Sequence, residues 1–232
     1  MSLKILFLLS SPHQDLSLDE EYRSIEKAIE RNSNKGDVEL IVKLSTRIED
    51  LIEALNQEKP HIVHFSGHGN SKGELMFTGD NMENMPITSN ILLNLFKASK
   101  ENIKLIFLDA CHSHTQAQVL SQEIDYLIGM NDFISEKTAT TFSTSFYASL
   151  ASNKSIQESF EQAKVILEVK HAHEKEIPLL FQKKDANINF KLSDLIKKDK
   201  KKNKKVTNVV RGNLYGVQHI EKGASASFRF EK

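Results

Sequence analysis

A single cysteine, Cys111, stands in 232 residues, so the chain cannot close an internal disulfide. A fold that must hold without cross-links and keep its thiol free suits a reducing cytoplasm, which is the expected compartment. Net charge is also missing. Lys and Arg number 31 against 31 Asp and Glu, so no bulk charge selects nucleic acid or an acidic surface as partner. The apolar run near the N-terminus, Ile5 to Leu9, is too brief to span a bilayer and no signal-peptide cleavage site follows it, so no membrane association is expected. Neither a P-loop nor a glycine-rich dinucleotide fingerprint appears, and no cofactor is expected. At 39% hydrophobic and 27% charged, the chain has the means to bury one sizeable core, giving one domain plus a tail.

What the chain does contain is two short β-type runs that end in chemistry. Leu105 to Leu108 is wholly apolar, as strands are when both faces of a parallel sheet are covered, and it stops at Asp109-Ala110-Cys111-His112-Ser113. Ile62 to Phe65 stops at Ser66-Gly67-His68-Gly69, where glycines permit a tight turn and close backbone approach. If the two strands are parallel neighbours, an imidazole and a thiol meet beyond their carboxyl ends, where open α/β sheets bind ligands. That pairing is what a cysteine hydrolase needs, because the thiolate is the nucleophile and a base must help form it. Residues two apart on a strand share a face, so Asp109 is expected to point to the same side as Cys111.

The rest of the pattern supplies a frame. Lys4 to Leu9 reads as a central strand, Asp19 onward as a helix through Tyr22, Ile25 and Ile29, and Val38 to Leu44 as a strand. Thr46 is placed to cap a helix bearing Ile48, Leu51, Ile52 and Leu55. The β-α-β-α-β order that follows implies a parallel sheet with right-handed crossovers. A short strand from Glu74 to Phe77, a loop through Pro86, a helix from Ser89 to Lys100 and another from Thr115 to Ile124 come next. The dipole of that last helix would favour a thiolate at Cys111 by up to roughly 2 kcal/mol. Tyr126 to Met130 is a fifth strand, Ser135 to Ala151 and Ser155 to His173 are amphipathic helices, and Ile177 to Phe181 is a late strand. Glu21 and Arg23 read as a solvated helix face. The histidines His61, His64, His68, His112 and His114 show HxxH and HxH spacings, but alternation sends His61 and His64 to opposite faces and no carboxylate or second cysteine completes a set. No metal is expected.

The pair FSGHG and LDACHS resembles the caspase-like (clan CD) cysteine peptidases, and specifically CHAT domains; DACHS is also similar to the metacaspase motif around the catalytic cysteine. The resemblance extends through Lys4–Pro12, Leu18–Ile29, Tyr126–Leu150 and Ser155–Lys164, about residues 1–195. It implies an α/β fold, a caspase-like, mostly parallel sheet of five or six strands with helices on both faces and an accessory hairpin after His68. It further implies a cysteine endopeptidase in which Cys111 attacks, His68 acts as general base and acid, and the backbone amides of Gly69 and Cys111 hold the oxyanion. For Asp109 two readings stand: a wall of the S1 pocket selecting Lys or Arg, or a buried hydrogen-bonding group. Two other functions stay open, an inactive scaffold or adaptor and a non-proteolytic thiol hydrolase. A role as effector in bacterial, including antiviral, defence or cell-death signalling is implied by the resemblance alone.

Composition changes sharply after Ile196. Lys197 to Lys205 is a like-charge run expected to be a solvated linker between a peptidase domain, 1–196, and a tail, 206–232. In the tail, Asn213-Leu214-Tyr215-Gly216-Val217-Gln218-His219-Ile220 resembles short amyloid-type signalling motifs, with β-formers spaced by Gly and Asn and side chains fit for ladders. The partners expected are thus a protein substrate and either an upstream sensor or further copies of the tail. A docked last hairpin, a frayed end, or a strand added to another protein's sheet are the competing readings of the same segment.

Overall fold

The computed structural model describes residues 2–12, 16–34, 36–187, 189–191 and 193–194. The Lys-rich run and the tail lie outside the described residues. Six strands form one sheet in the order β2-β1-β3-β6-β7-β8, where β1 is Leu3–Ser10, β2 Val38–Leu44, β3 Ile62–Gly67, β6 Leu105–Asp109, β7 Tyr126–Met130 and β8 Pro178–Gln182. All neighbours pair in parallel except β7 and β8, which are antiparallel. The central four strands are predominantly apolar because helices cover both faces. The edge strand β2 is only half-buried, with Leu44 71% exposed.

Two cores flank the sheet. On one face, α1 (Leu18–Asn32), α5 (Glu136–Ala151) and α6 (Ile156–Lys170) pack Ile25, Ile29, Phe142, Phe146, Tyr147, Phe160 and Leu167 against Leu3, Ile5, Phe7, Phe107 and Ile128. On the other, α2 (Ile48–Glu58), α3 (Ser89–Ser99) and α4 (His114–Leu120) bring Leu51, Leu55, Leu92, Phe96 and Leu120 onto Leu6, Leu8, Val63, Phe65, Ile106 and Leu108. Strand alternation divides β6 in the same way: Leu105 and Phe107 face the first core, Ile106 and Leu108 the second.

Three local readings are corrected. Thr46 does not cap α2; it is fully buried, and its hydroxyl donates to the carbonyls of Leu9 and Lys43, pinning the end of β2 to β1, while Arg47 takes the N-cap position. The stretch through Pro86 is not all loop. Asn84–Ile87 is a strand, β5, which pairs antiparallel with β4 (Leu75–Thr78), and Pro86 is tolerated there because this two-stranded sheet is all edge. Glu21 is not on a solvated face: it is 5% exposed, whereas Arg23 stays in solvent beside Asp19.

Candidate active site

Adjacent parallel strands β3 and β6 end at the same edge of the sheet, with Ser66 opposite Asp109 in register. The chain beyond each end is fixed locally. After β3, Asn70 Oδ1 accepts the N–H groups of Lys72 and Glu74, and the N–H of Met76 in β4 donates to the His68 carbonyl, so the hairpin holds the histidine loop. After β6, Ser113 Oγ donates to the Leu108 carbonyl and accepts the Met130 N–H, which ties the turn to the end of β7. Between these anchors His112 adopts φ 56°, a left-handed conformation uncommon for a residue with a side chain.

The two loops touch at Gly69. A Cβ built there would sit 2.0 Å from the Cys111 carbonyl oxygen, so only glycine admits this approach. His68 and Cys111, both half-buried, line one cavity of about 280 Å³ together with Glu21, Ser66, Asp109, Ile134 and residues of the α1 and α5 N-terminal regions. Sequence reading therefore brought three of its residues, His68, Asp109 and Cys111, to one place. Asp109 and Cys111 do share a side, as alternation requires.

The sulfur sits in a mixed field. Burial pushes the Cys111 thiol up; the Ile134 N–H and the residue's own N–H act the other way, and the carboxylates of Asp109 and Asp132 push it further up. The net direction is upward. The helix that follows, α4 (His114–Leu120), begins three residues after the thiol. Asp132 also accepts the His112 N–H through its carbonyl, so the loop after β7 folds over the cysteine turn.

Beneath the cavity lies a polar cluster that sequence reading missed. Glu21 enters from α1, accepts a hydrogen bond from Ser66 Oγ at 2.5 Å, and sets Oε1 3.4 Å from His64 Nε2. His64, fully buried between the rings of Phe7 and Phe107, faces the Tyr147 hydroxyl across 3.1 Å at Nδ1. Asp109 completes the group. Burial raises the Glu21 carboxyl, but the His64 imidazole and the Ser66 hydroxyl outweigh it and the net direction is down. Asp109 goes the other way: burial and then the Glu21 charge lift it well above the usual carboxylate range. One signal was legible, since Glu21, Ile25 and Ile29 recur every four residues and so share the buried face of α1.

A mostly parallel α/β sheet with a thiol and an imidazole at its carboxyl edge defines the caspase-like class of fold. The CHAT domain profile matches residues 8–178, and the chain belongs to that family. It is similar to a probable protease of Gillisia limnaea, 24% identical over 150 residues, covering 63% of this chain and 26% of that protein. It is likewise similar to a Roc-COR-CHAT protease of Runella zeae, 29% identical over 165 residues, covering 69% and 17%. The chain thus spans about a quarter or less of the length of these relatives. Among solved structures, the Arg-specific cysteine proteinase gingipain R shares the fold with a TM-score of 0.57 at 10% identity, over 82% of this chain and 48% of that one.

Proposed function

We propose that the chain is a cysteine endopeptidase in which Cys111 is the nucleophile and His68 the general base and acid. The observation that carries this is the contact of the two loops at Gly69, which sets the FSGHG and DACHS turns against one cavity. In the reaction, His68 takes the Cys111 proton as sulfur attacks the scissile carbonyl, and returns it to the departing amine; water then releases the acyl group. The amides of Gly69 and Cys111 hold the oxyanion, which requires the Cys111 N–H to turn from its own sulfur to the substrate oxygen. Asp109 at the cavity wall either receives a Lys or Arg side chain at P1, whose charge would draw off the proton that burial retains, or stays a buried hydrogen-bonding group. The protease names of the relatives support the activity class.

The raised thiol favours a switched-off resting state, and it is also what an inactive scaffold would show. A non-proteolytic thiol hydrolase would share the same dyad. We further assign residues 1–196 as the peptidase domain, 197–205 as linker and 206–232 as a recruitment module that brings copies together or meets a sensor, in a cytoplasmic defence or cell-death pathway. The deciding experiment compares the parent with Cys111→Ala in a cell lysate by mass spectrometry of new N-termini. Cleavage that depends on Cys111 and follows Lys or Arg is expected; none under any activating condition overturns the peptidase reading.

A further inference from the structure

We infer that Glu21, His64 and Asp109 form a binding site for one divalent transition ion, zinc or manganese, at the inner end of the cavity. The three side chains come from α1, β3 and β6, and their donor atoms lie within 4.8 Å of one another. Glu21 Oε1, His64 Nε2 and Asp109 Oδ2 make no well-formed hydrogen bond to the rest of the fold; their near partners are one another, Glu21 with His64 and with Asp109. All three residues are at least nine-tenths buried, so water does not satisfy those atoms at the surface. Buried polar atoms left this way are costly, and three converging on one point is a specific arrangement rather than a scattered defect.

The geometry suits an ion of that size. Glu21 Oε1 and His64 Nε2 stand 3.4 Å apart, about the edge of a tetrahedron whose ligands lie at about 2.1 Å from its centre. All three donor atoms lie within 4.8 Å of one another, so drawing the most distant pair to that edge takes an inward movement of up to about 1.4 Å, shared between the two side chains. One imidazole nitrogen with two carboxylate oxygens is a donor set for zinc or manganese rather than for a thiophilic ion. Tyr147 then serves as the outer partner. With Nε2 on the ion, Nδ1 carries the proton and donates to the Tyr147 hydroxyl across 3.1 Å, which fixes the tautomer and the ring. Ser66 Oγ holds the second oxygen of Glu21 in the same manner.

Glu21 and Asp109 also line the cavity, so an ion would enter from that side and keep a position open toward it. Local spacing hides the site. The HxxH and HxH patterns do not form it, since only His64 of that group takes part. An ion here and the basic side chain proposed above would contend for the same carboxylates, although the site itself does not depend on that reading.

The test uses the full-length protein carrying Cys111→Ala, stripped with chelator, to remove the thiolate as a rival ligand. It is titrated with zinc and with manganese by calorimetry, and the zinc-loaded parent is studied by X-ray absorption. One ion per chain is expected, with a first shell of nitrogen and oxygen and no sulfur. Glu21→Gln and Asp109→Asn should each weaken binding at least about tenfold, while His68→Ala should not. Affinity should rise with pH, because an ion competes with protons for its ligands. Absence of saturable binding overturns the proposal. So does a sulfur in the shell, binding lost in His68→Ala, or affinity unchanged in both carboxyl variants. If Glu21→Gln fails to fold, the isosteric Asp109→Asn and the absorption spectrum still decide.

Discussion

Asp109 carries opposite demands in one side chain. Its carboxyl is buried beside Glu21, and its value is raised well above that of an unfolded aspartate, about 3.9. Below that pH both folded and unfolded states hold the proton and the residue costs nothing. As pH rises past it, the unfolded chain releases a proton that the folded chain keeps. Stability then falls by about 1.4 kcal/mol per pH unit until the folded value is passed, after which the loss is constant. Glu21 has the reverse sign, because its depressed carboxyl contributes stability that acid removes. Asn at 109 cannot titrate and keeps a donor for Glu21. Asp109→Asn is therefore expected to match the parent near pH 4 and to exceed it increasingly toward neutrality, measured by denaturant unfolding in chelator; a gap independent of pH would refute the assignment. At Cys111 the upward shift predicts slow alkylation by iodoacetamide, with a rate still climbing above pH 8.5, the ordinary cysteine value. Asp132→Asn removes one charge that opposes the thiolate, and should raise the rate at pH 7.5 by about two- to threefold. That His68 and Cys111 line one cavity was legible from two short motifs. The field at Cys111 was not, because Asp132 and Ile134 reach it from the loop after β7.

Among the elements, the long periodic ones were legible: β1, β2, β3, β6, β7 and the five helices other than short α4 fall near their expected limits. Their apolar runs and helical spacings report burial directly. Failures came where a side chain's partner lies across the fold. Thr46 has a capping residue's identity but spends its hydroxyl on β1 and Lys43, and β5 is short, largely exposed and interrupted by Pro86. The meeting of the β3 and β6 loops is the contact that matters most for the proposed chemistry, and it rests on a missing Cβ. Gly69→Ala drives a methyl group into the Cys111 carbonyl, whose backbone cannot rotate away as a side chain would. A loss of about 1–3 kcal/mol is expected, as for overpacking elsewhere, with a displaced cysteine turn. Thermal unfolding and the alkylation rate of Cys111 read the two effects separately. An alanine variant with the parent's midpoint and rate would show that the loops are not in this contact.

On the scale of the whole molecule, both cores close within the described residues. The last buried apolar side chain among them, Phe190, packs at the ring of Tyr126, and its carbonyl accepts the Ile156 N–H at the start of α6. The relatives are much longer proteins, of which this chain matches a small part, so in them the shared region is one piece of a larger assembly. If 206–232 is the separate module proposed above, its role can be separated from stability. Deleting 206–232 should leave the unfolding midpoint within about 2 °C of the parent, a change smaller than a single lost core contact produces in a domain of this size. It should abolish Cys111-dependent cleavage in cells, because the module that brings copies or a sensor together is gone. Fusing the truncated chain to an inducible dimeriser should restore cleavage if proximity is what the tail supplies. The alternatives give different patterns. A docked last hairpin predicts a lowered midpoint, and a frayed end predicts that deletion changes neither midpoint nor cleavage. A sensor that reshapes the site on contact, rather than gathering copies, predicts that forced dimerisation does not rescue.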